Sequence, residues 1–146
     1  MADDMGLLVA DVYEVAGLLR RSGEAIAATE GQTQARWQLL SVVSDSPRTV
    51  AQAARRLGIA RQGVQRVANE LVAEELAAFQ PNPDHRSSPL LTLTPLGHRT
   101  LDRITARATE AHRTLSTDIP PSEIAAARAL LRRVIDALHH SASDTR

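Results

Sequence analysis

Between Thr49 and Val72 the sequence carries two apolar stripes at helical spacing with a glycine between them. Val50, Ala53, Ala54 and Leu57 recur at i, i+3, i+4 and i+7, and Thr49 followed by Gln52 forms a capping box that starts a short helix there. Gly58 ends it, because glycine enters the left-handed conformation that closes a helix without steric penalty. After the turn Gly58-Ile59-Ala60 a second stripe, Val64, Val67, Ala68, Leu71 and Val72, predicts another helix over about 61–75. Two helices joined by a short glycine turn match the helix-turn-helix pattern.

The flanking sequence surrounds this pair with further helices and one hairpin. Leu8, Val12, Val15, Leu19 and Ile26 predict a long first helix over about 6–28, ending near Gly31. Thr33 is placed to cap a second, about 34–44, which the cluster Asp45-Ser46-Pro47 stops. From Leu76 the helical period lapses into two short apolar runs, Leu76 to Phe79 and Leu90 to Leu93, which flank Gln80-Pro-Asn-Pro-Asp-His-Arg-Ser-Ser88 and predict a hairpin with a long, polar tip. Thr94 with Pro95 behind it starts a fifth helix to about Ser116, and Pro120-Pro121 starts a sixth through Leu138. The expected class is mainly α with a small β-hairpin wing: a winged helix-turn-helix plus terminal dimerisation helices.

At 146 residues one compact body is expected, and 43% apolar with 23% charged residues is ordinary for a folded globule. No apolar run approaches the roughly 20 residues of a membrane span, and the first residues are acidic where a secretory signal is basic. The expectation is a cytoplasmic, chromosome-associated protein with no membrane partner. Zero cysteines exclude disulfides, thiolate metal sites and cysteine-based sensing. No two of the five histidines stand at i, i+4 with an acid, as a helical metal site would show, and His139 and His140 are adjacent rather than on one face, so no metal and no cofactor are expected. Neither a phosphate-binding glycine loop nor a G-x-S-x-G nucleophile motif is present, and an enzyme is not expected.

A net charge of zero does not suggest a nucleic-acid binder, but the charge is unevenly placed. Residues 1–30 carry six acids against Arg20 and Arg21, whereas 48–66 carry Arg48, Arg55, Arg56, Arg61 and Arg66 with no acid. Removing the apolar stripe from the helix over 61–75 leaves Arg61, Gln62, Gln65, Arg66 and Asn69 on its other face. Arginine hydrogen-bonds guanine edges, and Gln and Asn hydrogen-bond adenine. A solvated helix face mixes charge signs and favours acids in its first turn, yet here no acid precedes Glu70. The other reading of the same face is a protein-interaction module whose arginines meet an acidic partner.

The stretches TVAQAARRLGIARQGVQRVANELVAEEL (49–76) and PNPDHRSSPLLTLTPLG (81–97), with one helix before and two after, resemble the MarR family of bacterial transcription regulators. The resemblance implies a DNA-binding lobe at 33–97, dimerisation helices at 6–28 and 98–142, and a homodimer acting as a repressor on a pseudo-palindromic duplex. It implies that Arg86 at the wing tip enters the minor groove, supported by Asp84, and that Thr49 joins the DNA contacts. It also implies release by a small aromatic or phenolic effector, for which Tyr13, Arg20 and Trp37 are the candidates, Trp37 being equally a core residue. Two positions depart from the family pattern. Ala60 stands where Ser or Thr usually caps the reading helix, and Gly63 stands at a position commonly filled by a hydroxyl residue, so a weakly formed start to that helix is expected.

Overall fold

Thr33, Thr49 and Thr94 each stand just ahead of a helix, and each hydroxyl accepts a hydrogen bond from the amide three residues on: Arg36 at 3.2 Å, Gln52 at 3.1 Å and Gly97 at 3.0 Å. At Thr49 the box is reciprocal, its own amide donating to Gln52 Oε1 at 2.9 Å. The computed structural model describes residues 3–145. In chain order it contains α1 (Asp4–Ala28), α2 (Gln34–Ser44), α3 (Val50–Leu57), α4 (Arg61–Ala73), β1 (Ala77–Gln80), β2 (Leu90–Leu93), α5 (Pro95–Leu115) and α6 (Pro121–Ser143). The mainly helical class with a two-stranded wing is therefore the observed architecture.

The chain divides into two compact units, Met1–Ala108 and Thr109–Arg146. In the first, Leu39, Leu40 and Val43 of α2, Ala53 and Ala54 of α3, and Val64, Val67, Ala68 and Leu71 of α4 form one core with Leu91 and Leu93 of the wing. Each of these Val and Leu side chains contributes about 1.5–3 kcal/mol on burial, which is why the short helices α3 and α4 persist. Gly58 ends α3 in the left-handed conformation, φ 68°. Helix α4 closes on a non-glycine: Glu75 takes φ 61°, its amide donates to Val72 O at 3.0 Å, and Leu76 N donates to Leu71 O at 2.9 Å. This is a Schellman closure. It spends residues 74–76 on ending the helix, so α4 is two residues shorter than the stripe predicts and β1 begins one residue later, at Ala77.

The wing is antiparallel, with Ala77 opposite Leu93 and Phe79 opposite Leu91. Arg48 extends it by one bridge: Arg48 N donates to Leu91 O at 3.2 Å and Leu91 N to Arg48 O at 2.7 Å. Its base is held by Thr94, whose amide donates to Leu76 O at 3.1 Å and whose hydroxyl donates to Glu75 O at 2.7 Å. Here α5 passes so close to Leu76 that a Cβ on Gly97 would collide with the Leu76 carbonyl oxygen. Glycine is required at 97.

At the other end of this unit, α1 presses on the start of α2: Gly23 lies against the Gln34 side chain, and Glu24 Oε1 accepts from the Gln34 amide at 3.1 Å. Glu30 meets Arg103 at 3.1 Å and Arg107 at 3.7 Å on α5. The outer face of α1 remains apolar and open, with Leu7, Val12, Val15 and Leu19 between 39% and 53% exposed. In the second unit, α6 buries no residue, and Ile124, Leu131, Ile135 and Leu138 are 36–64% exposed. No helix among the described residues is long and apolar enough to cross a membrane.

Candidate nucleic-acid interface

The two faces of α4 separate cleanly. Val64, Val67, Ala68 and Leu71 are buried, and Arg61, Gln62, Gln65, Arg66 and Asn69 are all exposed. The helix starts without a side-chain cap, Ala60 being extended at φ −68°, ψ 143°. It is nonetheless regular from Arg61, because an N-cap is worth only about 1 kcal/mol against several from the buried stripe. A Cβ on Gly63 would meet nothing within 4 Å, so nothing inside the chain demands glycine there. Gln65 and Asn69, one turn apart, are linked by Gln65 Nε2 donating to Asn69 Oδ1 at 3.0 Å.

The arginines of 48–66 have different fates. Arg48 belongs to the framework: its Nε donates to Val42 O at 2.8 Å and its Nη2 lies 3.6 Å from Asp45. Arg55, Arg56, Arg61 and Arg66 are exposed, and none has an acid within ion-pair distance among the described residues. Arg66 is the informative case, because Glu70 stands four residues on, at the spacing of a helical ion pair. Glu70 instead faces Arg36 of α2, 3.8 Å away, and Arg36 also meets Glu74 at 2.6 Å.

Thr49 is 8% exposed, and its oxygen already accepts from Gln52. Its hydroxyl proton, with one remaining lone pair, is left to bond outward. Asp84 and Arg86 are exposed on the loop between the strands. That loop is shaped by Asn82, whose Oδ1 accepts from Asp84 N at 3.1 Å and whose Nδ2 donates to Ser88 O at 3.0 Å, with Ser88 N donating to His85 O at 3.2 Å. No ion pair joins Asp84 to Arg86 in the free protein; two solvated side chains gain about 0–1 kcal/mol from such a contact, too little to hold them together.

The fold brings these parts side by side. A cleft of about 150 Å³ lies between the starts of α3 and α4 and the wing, lined by Thr49, Val50, Arg61, Gln65, Phe79 and Ser88. An open groove continues from it along Gln52, Arg55, Asn82, Asp84 and His85. Sequence reasoning missed Asn82, whose place between two prolines is a turn signal, and Arg36, whose partners lie far along the chain. Of the effector candidates, Tyr13 is 75% exposed and Arg20 exposed on α1, while Trp37 is half-buried against the core. No group of His, Asp and Glu that could hold a metal occurs among the described residues.

This geometry agrees with its relatives. The MarR family model matches residues 31–86, from the start of α2 to the wing tip. The chain belongs to the MarR family. An uncharacterized protein of Mycobacterium tuberculosis (strain ATCC 25618 / H37Rv) is 61% identical over 138 residues, 94% of this chain and 96% of that one. Among solved structures, a MarR family transcriptional regulator from Streptomyces coelicolor superposes with a TM-score of 0.81 at 20% identity, covering 95% of this chain and 98% of that one. CouR from Rhodococcus jostii RHA1, bound to p-coumaroyl-CoA, superposes with a TM-score of 0.77 at 21% identity, covering 90% and 92%. The winged helix-turn-helix of this MarR-family chain is thus the fold of a DNA-binding transcription regulator.

Proposed function

We propose that this MarR-family protein is a homodimeric repressor that reads a pseudo-palindromic operator in double-stranded DNA. The observation that carries the reading is the exposed, acid-free face of α4, with Arg61, Gln62, Gln65, Arg66 and Asn69 free of protein ion pairs beside an exposed wing. Arg61, Gln62 and Gln65, nearest the helix start, read base edges in the major groove; Arg66 and Asn69 secure the helix, and Thr49 donates to the phosphate chain. Arg86 enters the adjacent minor groove, where a narrow width raises the negative potential, and Asp84 closes on it only there.

One helix with a few base contacts gives too little discrimination, so two copies act on half-sites about one turn, 34–36 Å, apart. The segments 6–28 and 98–142 form the dimer contact and 33–97 the reading lobe. The open apolar faces of α1 and α6 support this, since exposed Leu and Val rows on terminal helices call for a covering partner. A small aromatic or phenolic effector releases the operator, with Tyr13, Arg20 and Trp37 contributing; the p-coumaroyl-CoA held by CouR supports an aromatic acyl group as the class.

Titration of duplexes selected from a random library, at several salt concentrations, tests the reading. The expected result is a recovered two-fold symmetric site, with affinity falling steeply as salt rises. Binding without sequence preference, or none to DNA but tight binding to an acidic protein, refutes it.

A further inference from the structure

Arg36 is the third residue of α2, and its side chain is only 16% exposed. Its guanidinium spans to α4, with Nη1 2.6 Å from Glu74 Oε2 and Nε 3.8 Å from Glu70 Oε2, while Gln32 Oε1 accepts from Nη1 at 3.4 Å. Glu70 is the acid of α4 and Glu74 is its C-cap. Both are about half exposed, at 45% and 48%, and so lie within reach of solvent and of an approaching polyanion.

Left alone, these carboxylates would act against DNA reading in two ways. Glu70, one turn beyond Arg66, would draw that guanidinium into an i, i+4 pair. Both acids would also repel any phosphate that comes within the roughly 8–10 Å over which physiological salt leaves charges unscreened. The apolar seam between α2 and α4 brings the helices together but is non-directional, so it has no influence on either effect. Arg36, with its fork of donors, does.

Building on the DNA-reading assignment above, we propose that Arg36 is a positioning residue for DNA recognition: it takes up Glu70 and Glu74 and so keeps Arg66 free for DNA. Arg36 does not itself touch the nucleic acid; it acts through the two acids it holds, whose combined charge it halves.

The experiment measures operator affinity of the full chain by fluorescence anisotropy, with thermal melts of every variant. Arg36→Gln is expected to weaken operator binding about three- to fivefold, the upper part of the range for a partly exposed charge pair. Adding Glu70→Gln and Glu74→Gln to that variant is expected to restore affinity to within about twofold of the wild type. A loss that the added changes do not restore means that Arg36 contacts DNA or merely supports the fold, and overturns the proposal, as does Arg36→Gln without effect. Glu70→Gln in the wild-type background, at an exposed position that tolerates change, gives a second reading independent of folding. Because Arg36 already holds that acid away from Arg66, affinity is expected to shift less than about twofold, and a rise of fivefold or more refutes the idea. Wild-type protein that binds no operator removes the DNA reading itself, whereas wild-type binding with an indifferent Arg36 removes only this inference.

Discussion

Two glycine-to-alanine substitutions in this chain are expected to change stability in opposite directions. At Gly97 the new methyl group would collide with the Leu76 carbonyl oxygen and stand 3.0 Å from its carbon, both backbone atoms that cannot turn aside. Relief requires α5 to lift from the start of β1, which breaks the Thr94 N to Leu76 O bond and the Thr94 hydroxyl to Glu75 O bond. Two hydrogen bonds at about 1 kcal/mol each, with about 1–3 kcal/mol of overpacking, give a loss of about 3–5 kcal/mol. That is a large part of a typical domain's stability. At Gly63 the methyl group meets nothing within 4 Å, and Ala in place of Gly in a helix adds about 1 kcal/mol. Urea unfolding followed by helical circular dichroism, at one protein concentration because association adds to apparent stability, is expected to rank Gly63→Ala above the wild type and Gly97→Ala far below it. Gly97→Ala unfolding within about 0.5 kcal/mol of the wild type would refute the close approach of α5 to Leu76.

Glu75→Gly relieves a left-handed non-glycine residue at the end of α4 and is expected to raise the unfolding free energy by about 0.5–1 kcal/mol in the same assay. Ala60→Ser supplies the missing cap, since the backbone there is already extended; amide exchange is expected to slow in the first turn of α4, with about 1 kcal/mol gained. Arg86→Ala is expected to weaken operator binding most where the flanks are A/T-rich, and equal losses on all flanks count against a minor-groove role. Gln65→Ala is expected to relax discrimination at one base position by about 1–3 kcal/mol, read from competition among single-base operator variants; unchanged discrimination removes Gln65 from the reading set.

What could be read from the residues and what could not divides along a physical line. Thr33, Thr49 and Thr94 act on amides three positions away, and the α3 and α4 stripes repeat within a turn or two, so one-dimensional pattern suffices for them. The exposed face of α4 was legible for the same reason: it is what the buried stripe leaves over. The Arg36–Glu74 pair spans 38 residues and the Arg48–Leu91 bridge joins the residue before the α3 cap to the wing, and neither has a local signature. Arg48 therefore looked like a member of the basic stretch, while the structure commits it to Val42 and Asp45. Glu75 hides for a different reason: a left-handed closure is announced by glycine, and a glutamate there gives no sign of it. The single Tyr, Trp and Phe left the effector site without a pattern to read, and the structure spreads Tyr13 and Trp37 between an open helix face and the core.

The neutral net charge then ceases to argue against a polyanionic partner. Glu30 faces Arg103 and Arg107, Asp45 faces Arg48, and Glu70 and Glu74 face Arg36, so these acids are matched by arginines of the framework. Glu24 is turned to the amide at the start of α2. Arg55, Arg56, Arg61, Arg66 and Arg86 are exposed with no such partner among the described residues, on α3, α4 and the wing that share one cleft and groove. Beyond about 8–10 Å in physiological salt a charge contributes little, so a phosphate at that cleft responds to the charges beside it, the arginines and Asp84, and not to the sum over the whole chain. A pair closed within the framework cancels twice over, in the sum and in the local field, whereas an open arginine counts fully where it stands. The same logic gives Arg36 its proposed weight: losing that one arginine opens two acids at the edge of the proposed reading face without altering any residue proposed to meet DNA.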